Sequence, residues 1–308
     1  MRKLLAVCAT LLLGAACSGE QASPSPSPSE RPRPTEPATT SPVPTIDPGA
    51  FGLDAAMEHV RALAVEVGNR MAGTEGDGLA AEYIARRLEA LGWRAERRPF
   101  PLPQGGESWN VVGIPPGFDE REPYLLLGGH YDSLNGPGAN DNASGIGVVL
   151  EIARAVDVRP APLPVLVVAF GAEERQPTPD RPHHIGSLDY VAKMSPDARR
   201  NLTAMVNVDM VGHGDTITCG RMSVGPREGT ERCVRLAGEL DIPARERVTP
   251  DWSDNGSFLT EGMNAAWLWT GELPCCFHNP RDTIDVVRPA DVDRSGRLAL
   301  AIVRSYSR

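Results

Sequence analysis

Five side chains that can bind a divalent metal ion occur in short motifs spread along the chain. They are two histidines and three carboxylates, namely His130, Asp141, Glu174, Asp209 and His278. Imidazole nitrogen and carboxylate oxygen are ligands that zinc accepts in proteins. The set can hold two ions if one carboxylate bridges them. A single His-x-Asp or Glu-Glu motif usually lies at the solvated surface and binds nothing, but five such residues together indicate a metal centre.

A pair of metal ions predicts hydrolytic chemistry. Two ions about 4 Å apart can share a hydroxide that is nucleophilic near neutral pH. A carboxylate within hydrogen-bonding distance can take a proton from it and return that proton to a leaving amine. One ion can also stabilise the oxyanion that forms from the attacked carbonyl. Glu173, directly before Glu174, supplies a carboxylate that need not be a ligand.

Buried strands are predicted directly before most of these residues. Continuous apolar runs, typical of strands buried on both faces, lie at 124–127, 164–170, 204–208 and 265–269, with shorter strand-like pieces at 94–100 and 109–114. Helical spacing of apolar residues occurs at 53–67, 79–91, 145–156, 229–240 and 290–306. The order predicts an α/β three-layer sandwich with a mostly parallel central sheet and helices on both faces. In such sheets, functional groups gather at the carboxyl ends of the strands.

The motifs at these strand ends resemble those of the secreted two-zinc aminopeptidases, the superfamily of aminopeptidase Y, bacterial leucyl aminopeptidases and glutaminyl cyclases. The resemblance covers residues 52–306 and implies the zinc-exopeptidase fold. The motifs that carry it are His130-Tyr131-Asp132, Gly138-Ala139-Asn140-Asp141-Asn142, Glu173-Glu174, Val208-Asp209 and His278-Asn279-Pro280-Arg281-Asp282-Thr283.

The resemblance implies two zinc ions and a role for each ligand. His130 and Asp209 would bind one ion, and Glu174 and His278 would bind the other. Asp141 would bridge both ions.

The resemblance also implies a catalytic base and a class of substrate. Glu173 would be the general base acting on a bridging hydroxide, and Asp132 would fix the tautomer of His130 through a hydrogen bond. The free α-amine of the substrate would bind beside the metal ions. The expected substrates are therefore peptides with a free N-terminus, and the enzyme would be an aminopeptidase.

One residue departs from the family pattern. Relatives commonly carry a tyrosine before the last histidine ligand, and its hydroxyl is thought to stabilise the oxyanion. Phe277 stands at that position and has no donor. Either another donor, such as His213 or Tyr131, takes over this role, or zinc serves alone.

Two other functions remain open on the sequence. A glutaminyl cyclase-like enzyme of related fold would use a single zinc ion. A non-catalytic binding protein would keep the fold and lose the site. The complete set of ligands favours two metal ions and an enzyme.

The charge of the chain argues against one class of partner. The sequence has 31 basic and 40 acidic residues, for a net charge of −9, and no block rich in lysine or arginine. A nucleic-acid partner is therefore not expected. We expect a monomer.

The first 16 residues are typical of an export signal. Arg2 and Lys3 precede an apolar run, residues 4–16, that is too short to span a bilayer. The sequence Leu13-Gly14-Ala15-Ala16-Cys17 resembles the lipobox of bacterial lipoproteins, although an aliphatic residue is usual where Gly14 stands. We expect a lipid on Cys17, with ordinary secretion after cleavage nearby as the alternative.

A tether is predicted between this signal and a single domain. Residues 17–50 are rich in proline and serine, a composition that favours extended, disordered chain over a packed core. The peptidase domain would span residues 51–308. The protein would be exported and either anchored to the cell membrane by its lipid or extracellular.

The remaining histidines and cysteines are expected to have structural roles outside the metal site. His59 is expected at the surface of a helix. His183 and His184 are expected in a solvated, proline-rich loop, with a position at the entrance of the site as the alternative. Four cysteines lie within the predicted peptidase domain, namely Cys219, Cys233, Cys275 and Cys276. A bond between the adjacent pair would close a strained ring, so cross-pairing of that pair with the other two is favoured. A cysteine-bound zinc is the alternative, although the chain lacks a Cys-x-x-Cys motif.

Overall fold

The computed structural model describes residues 50–270 and 276–307. The predicted leader, Cys17 and all of the predicted tether except Ala50 lie outside these ranges. The described strands are β1 Arg94–Pro101, β2 Glu107–Ile114, β3 Tyr124–His130, β4 Val165–Phe170, β5 Leu202–Val208, β6 Ile217–Arg221, β7 Ala244–Val248 and β8 Ala265–Trp269. The described α-helices are α1 Leu53–Arg61, α2 Glu75–Ala90, α3 Ser144–Val158, α4 Ile185–Lys193, α5 Pro196–Asn201, α6 Glu228–Glu239, α7 Asn255–Thr260 and α8 Pro289–Ser305.

The strands form one eight-stranded sheet in the order β1-β2-β4-β3-β5-β8-β6-β7. Its four central strands, β4, β3, β5 and β8, run parallel to one another. The pairings of β1 with β2, of β2 with β4 and of β6 with β8 are antiparallel. The parallel centre consists of the strands that the apolar runs predict, because a strand covered on both faces needs apolar side chains on both.

The sheet has an apolar core on each face. Along β3, Leu125 and Leu127 point into a core shared with α1, α2, α3, α6 and α8. Tyr124 and Leu126 point into a second core that includes Tyr190 of α4 and Phe258 of α7. Alternate residues of one strand thus serve opposite layers. The predicted α/β three-layer sandwich is confirmed.

The two strands on one side of this sheet, β6 and β7, were not predicted from the sequence. β7 reads Ala-Arg-Glu-Arg-Val and is largely exposed, and β6 is only five residues long. Edge strands are often short and charged, which keeps them from pairing with other chains. Such strands lack the apolar run that identifies a central strand.

A disulfide bond joins Cys219 of β6 to Cys233 of α6. The expected cross-pairing of both residues with Cys275 and Cys276 is therefore wrong. The reason is that α6 packs directly on β6, which brings the two Cα atoms to 6.0 Å. Cys276 is buried, and Cys275 lies outside the described residues.

His59 is buried, which corrects its expected position at the surface. It lies on the inner side of α1, and its Nδ1 is 2.7 Å from the hydroxyl of Tyr83. Burial, with a smaller contribution from Arg87, lowers the pKa of His59 to about 4. A proton therefore binds this imidazole more weakly in the folded chain than in the unfolded chain.

We expect His59 to make the protein less stable in mild acid. The unfolded imidazole binds a proton below about pH 6.5 and the folded one only near pH 4, so the free energy of unfolding falls as the pH falls through this window. From about pH 7.5 to about pH 5, His59 alone should lower the free energy of unfolding by about 2 kcal/mol. Urea unfolding at both pH values should show that His59→Gln loses this part of the pH dependence. Glu58→Gln, at the exposed neighbouring position, is the control. Equal pH dependence in His59→Gln and the wild type would contradict the expectation.

Candidate active site

The five predicted ligands lie together at the carboxyl ends of the parallel strands. His130 is the last residue of β3, and Asp209 directly follows β5. Glu174 follows β4 within a few residues, and Asp141 comes from the glycine-rich loop before α3. His278 lies in the segment between β8 and α8. Parallel strands end at one edge of the sheet, so side chains distant in sequence converge there.

Two groups of ligand atoms share Asp141. In the first group, His130 Nε2 lies 3.2 Å from Asp141 Oδ1 and 3.3 Å from Asp209 Oδ1. In the second group, His278 Nε2 lies 3.3 Å from Asp141 Oδ2 and 3.0 Å from Glu174 Oε2. Each group has three side chains whose ligand atoms lie within 4.8 Å of one another. Each oxygen of Asp141 therefore faces a different group.

The charges of this cluster fit a bound cation. Burial and the neighbouring carboxylate of Asp141 raise the pKa of Glu174 well above its ordinary value. Although burial opposes its charged form, the carboxylates of Glu173 and Asp209 raise the pKa of His130 well above its ordinary value. Glu174 Oε1 is buried and receives no hydrogen bond from a described residue. The oxygen- and nitrogen-rich donor set and the orphaned oxygen both suit zinc.

Asp132 connects the histidine of the first group with the glutamate pair. Its Oδ1 lies 3.4 Å from Nδ1 of His130, the ring nitrogen that points away from the other ligands. Its two oxygens also accept hydrogen bonds from the backbone N–H groups of Glu173 and Glu174, at 3.0 and 3.2 Å. The buried carboxylate thus contacts residues at the ends of both β3 and β4.

Glu173 lies beside the two groups that share Asp141, and with His130 and Glu174 it forms a third group whose ligand atoms lie within 4.8 Å of one another. Its Oε2 is 4.0 Å from His130 Nε2, and its Oε1 is 2.9 Å from His184 Nε2. Burial raises the pKa of Glu173, and the positive charges of His130 and His184 oppose that rise. A carboxylate in this place can accept a proton from a water molecule held near the ligands.

His184 is buried, so its expected solvated position is wrong. The loop after Glu174 folds back onto the sheet, and the backbone N–H of His184 donates a hydrogen bond to the carbonyl of Glu173 at 2.9 Å. His183 is half-buried and lines the same cavity as the ligands. The prolines of this loop are typical of a solvated segment. The one sequence signal against that interpretation was Ile185, the apolar residue at which α4 begins.

Two further residues next to this cluster, Ser253 and Asp254, were not predicted from the sequence. Ser253 Oγ donates to Asp209 Oδ2 at 2.6 Å and accepts from Asn207 Nδ2 at 2.7 Å. Burial, and next the charge of Glu173, raise the pKa of Asp254 to about 8. Both residues belong to the polar run Asp251–Ser257, which carries no motif that distinguishes it from an ordinary loop.

Neither suggested substitute for the missing tyrosine reaches the ligands. The hydroxyl of Tyr131 donates to the carbonyl of Trp109 at 3.0 Å, and Nδ1 of His213 lies 3.0 Å from the carbonyl of Val286. Neither residue lines the cavity. Phe277 does line it, with its ring stacked on His278 at a centroid distance of 3.5 Å. The geometry therefore argues against both named substitutes.

The ligands open into a cavity of about 940 Å³. Aromatic side chains form much of its wall, namely Trp252, Trp267, Trp269 and Phe277. Trp267 and Trp269 stack in parallel with ring centroids 5.1 Å apart. Three arginines, Arg175, Arg181 and Arg247, also line the cavity. The cavity can accommodate a short, partly apolar molecule next to the metal ligands.

The fold and the buried ligand cluster define a metal-binding protein of the α/β exopeptidase type. Residues 110–303 match peptidase family M28, and the chain belongs to this family. The resemblance seen in the sequence is thereby confirmed.

Two relatives in this family show how far the similarity extends. Aminopeptidase YwaD of Bacillus subtilis is 29% identical over 208 residues, which cover 64% of this chain and 44% of the relative. Leupeptin-inactivating enzyme 1 of Streptomyces exfoliatus is 31% identical over 262 residues, which cover 76% of this chain and 57% of the relative. The chain spans about half the length of the curated relatives it matches.

Solved structures share the fold at low identity. A zinc aminopeptidase from Bacillus subtilis superimposes with a TM-score of 0.74 at 18% identity, covering 82% of this chain and 94% of that one. A glutaminyl cyclase from Tannerella forsythia gives a TM-score of 0.71 at 21% identity, covering 84% and 100%. These similarities establish the three-layer fold and leave the choice between the two activities to the site.

Proposed function

We propose that this chain is a two-zinc aminopeptidase that removes the N-terminal residue from peptides. The observation that carries the proposal is the pair of ligand groups that share Asp141, with Glu173 beside them. A single-zinc enzyme has no need for a second complete group. The printed names of the aminopeptidase relatives support the same activity.

Five residues would hold the two zinc ions. His130 and Asp209 would bind the first, Glu174 and His278 the second, and Asp141 would contribute one oxygen to each. When bound, the ions supply Lewis acidity that activates water and polarises the scissile carbonyl. Asp132 would hold the His130 ring so that Nε2 faces the first ion.

Glu173 would move the proton during hydrolysis. Its carboxylate accepts a proton from the attacking water and delivers it to the nitrogen of the leaving amine, so that Glu173 ends the cycle ionised as it began. Oε2 is the oxygen placed for this transfer, because it faces the ligand groups while Oε1 contacts His184. The deep burial of Glu173 keeps bulk water from competing for the proton.

The cavity suits a short peptide with a free amine. Its tryptophan wall offers apolar surface for the side chain of the first residue, and the arginines can face the carboxylate end of a short peptide. The substrate amine would lie beside the ligands, which is the condition for removing one residue at a time. We propose that the enzyme acts as a monomer, without nucleic acid.

The proposed location follows from the N-terminal sequence. Residues 1–16 would direct export, and a lipid on Cys17 would anchor the enzyme to the membrane through the Pro/Ser-rich tether. Secretion without an anchor is the alternative. Within the described part of the chain, every helix is too short or too polar to cross a membrane.

Three substrates distinguish the proposal from its alternatives. The purified, zinc-loaded protein is incubated with an aminoacyl anilide, with its N-acetylated form and with a glutaminyl peptide. We expect the aniline to be released from the first substrate and not from the acetylated one, because an aminopeptidase requires the free amine. Cyclisation of the glutaminyl peptide without release of aniline would show a glutaminyl cyclase. No reaction with any of the three would indicate a binding protein.

A further inference from the structure

His184 is the one histidine that touches the proposed base without belonging to a ligand group of the described residues. Its side chain is 2% exposed. Its Nε2 lies 2.9 Å from Glu173 Oε1, and its Nδ1 lies 3.4 Å from Asp251 Oδ1. The imidazole therefore stands between two carboxylates, with one ring nitrogen directed at each.

The backbone also holds His184 against Glu173. The N–H of His184 donates to the carbonyl of Glu173 at 2.9 Å, and the N–H of Ile185 donates to the carbonyl of Ala172 at 3.0 Å. His184 has a φ of 57°, a left-handed conformation that is uncommon for a residue other than glycine. This turn directs the side chain toward the sheet just before α4 begins.

We propose that His184 is a positioning residue that orients the carboxylate of Glu173 for proton transfer. The proposal rests on the function proposed above. A carboxylate can rotate about its last side-chain bond, and intermediate rotations turn the lone pairs of both oxygens away from the reacting water. A hydrogen bond from His184 to Oε1 stops this rotation and leaves Oε2 facing the ligands, where His130 Nε2 is 4.0 Å away. Asp251 fixes the ring from its other side.

The neighbouring histidine is compatible with this arrangement. His183 Nδ1 lies 3.0 Å from His184 Nε2, and the two ring centroids are 4.0 Å apart. Burial and the adjacent His184 lower the pKa of His183, which favours its neutral form, and a neutral ring can offer a lone pair at Nδ1 to its neighbour. The N–H at Nε2 of His184 can then be shared between Glu173 and His183.

Two substitutions of similar chemistry separate the hydrogen bond from general packing. The side-chain nitrogen of glutamine stands where Nε2 of histidine stands, and that of asparagine stands nearer the backbone, where Nδ1 stands. His184→Asn therefore loses the contact with Glu173, and asparagine tolerates the left-handed backbone. His184→Gln keeps a donor for Glu173. Asp180→Asn, at an exposed position of the same loop that does not line the cavity, controls for changes in the loop.

We expect His184→Asn to lower kcat about 10- to 100-fold, the cost of a misplaced catalytic group. The KM and the zinc content should stay within about threefold of the wild type, since His184 touches neither substrate nor ligands in this arrangement. His184→Gln and Asp180→Asn should stay within about threefold of the wild type in kcat. In a Glu173→Gln background, His184→Asn should cost nothing further, because its effect acts through that carboxylate.

Crystal structures of the same variants give a second readout that needs no activity. We expect the Glu173 carboxylate to leave its position, or to occupy two positions, in His184→Asn and to keep its position in His184→Gln. An unmoved Glu173 in His184→Asn, or an equal loss of kcat in both His184 variants, would overturn the proposal. If His184→Asn fails to fold, a low kcat in correctly folded His184→Gln would overturn it, and a retained kcat would support it. Absence of aminopeptidase activity in the wild type would instead count against the proposed function, and the crystal structures would still decide the role of His184.

Discussion

Replacing Asp141 with asparagine is expected to reduce bound zinc from about two ions per chain to less than about one. Asp141 is the only described ligand that belongs to both groups, with one oxygen directed at each histidine. An amide offers a single neutral oxygen, and it bridges two cations poorly. The carboxylates left behind would then repel one another in a buried site. Hydrolysis should fall at least as far as in any other single variant.

Zinc content after gel filtration, measured by mass spectrometry of the metal, checks this expectation. Asp241→Asn is the matched control, because Asp241 is exposed, lies far along the chain from the ligands and has a left-handed backbone that asparagine accepts. This control should keep both zinc ions and full activity. Two zinc ions retained in Asp141→Asn would mean that Asp141 does not bridge.

Replacing Glu173 with glutamine should have the opposite combination of effects. The variant should keep both zinc ions, because Glu173 is needed in neither of the two groups that share Asp141. Its kcat should fall about 10²- to 10⁴-fold, the usual contribution of a general base. The amide cannot take the proton from water, and the KM should change little, because substrate binding does not use this charge.

Steady-state kinetics with an aminoacyl anilide, together with zinc content, tests the role of Glu173. Glu239→Gln on the exposed side of α6 makes the same chemical change away from the site and should behave as the wild type. Full activity in Glu173→Gln would remove this residue from the mechanism. Loss of zinc in the same variant would make it a ligand instead of a base.

The sequence was most informative where an apolar run showed burial and the polar residues after it showed chemistry. The central strands could be predicted because continuous apolar runs such as 165–170 have few other uses in a soluble fold. The convergence of the candidate ligands could be predicted because the polar residues after the apolar runs, such as Asp209 after β5, come to one edge of a parallel sheet. Edge strands such as β7 lack such a run and were missed.

The residues that support the ligands were hidden because only tertiary folding brings them to the site. His184 lies in a proline-rich loop, and Ser253 lies in a polar segment before α7. Both residues have sequence neighbours that are typical of solvated loops. Ser253 contacts Asp209, which is distant in sequence, and His184 contacts Glu173 only because the loop between them folds back. His59 was misplaced for a related reason, since one histidine in a helix does not show which side of the helix faces the core.

Anomalous diffraction from zinc-loaded crystals, recorded at the zinc absorption edge, tests the central claim most directly. The account predicts two anomalous peaks, one on each side of the Asp141 carboxylate. The first peak should contact His130 and Asp209, and the second should contact Glu174 and His278. A single peak at full zinc occupancy, or two peaks that do not both contact Asp141, would contradict the two-zinc centre and the mechanism built on it.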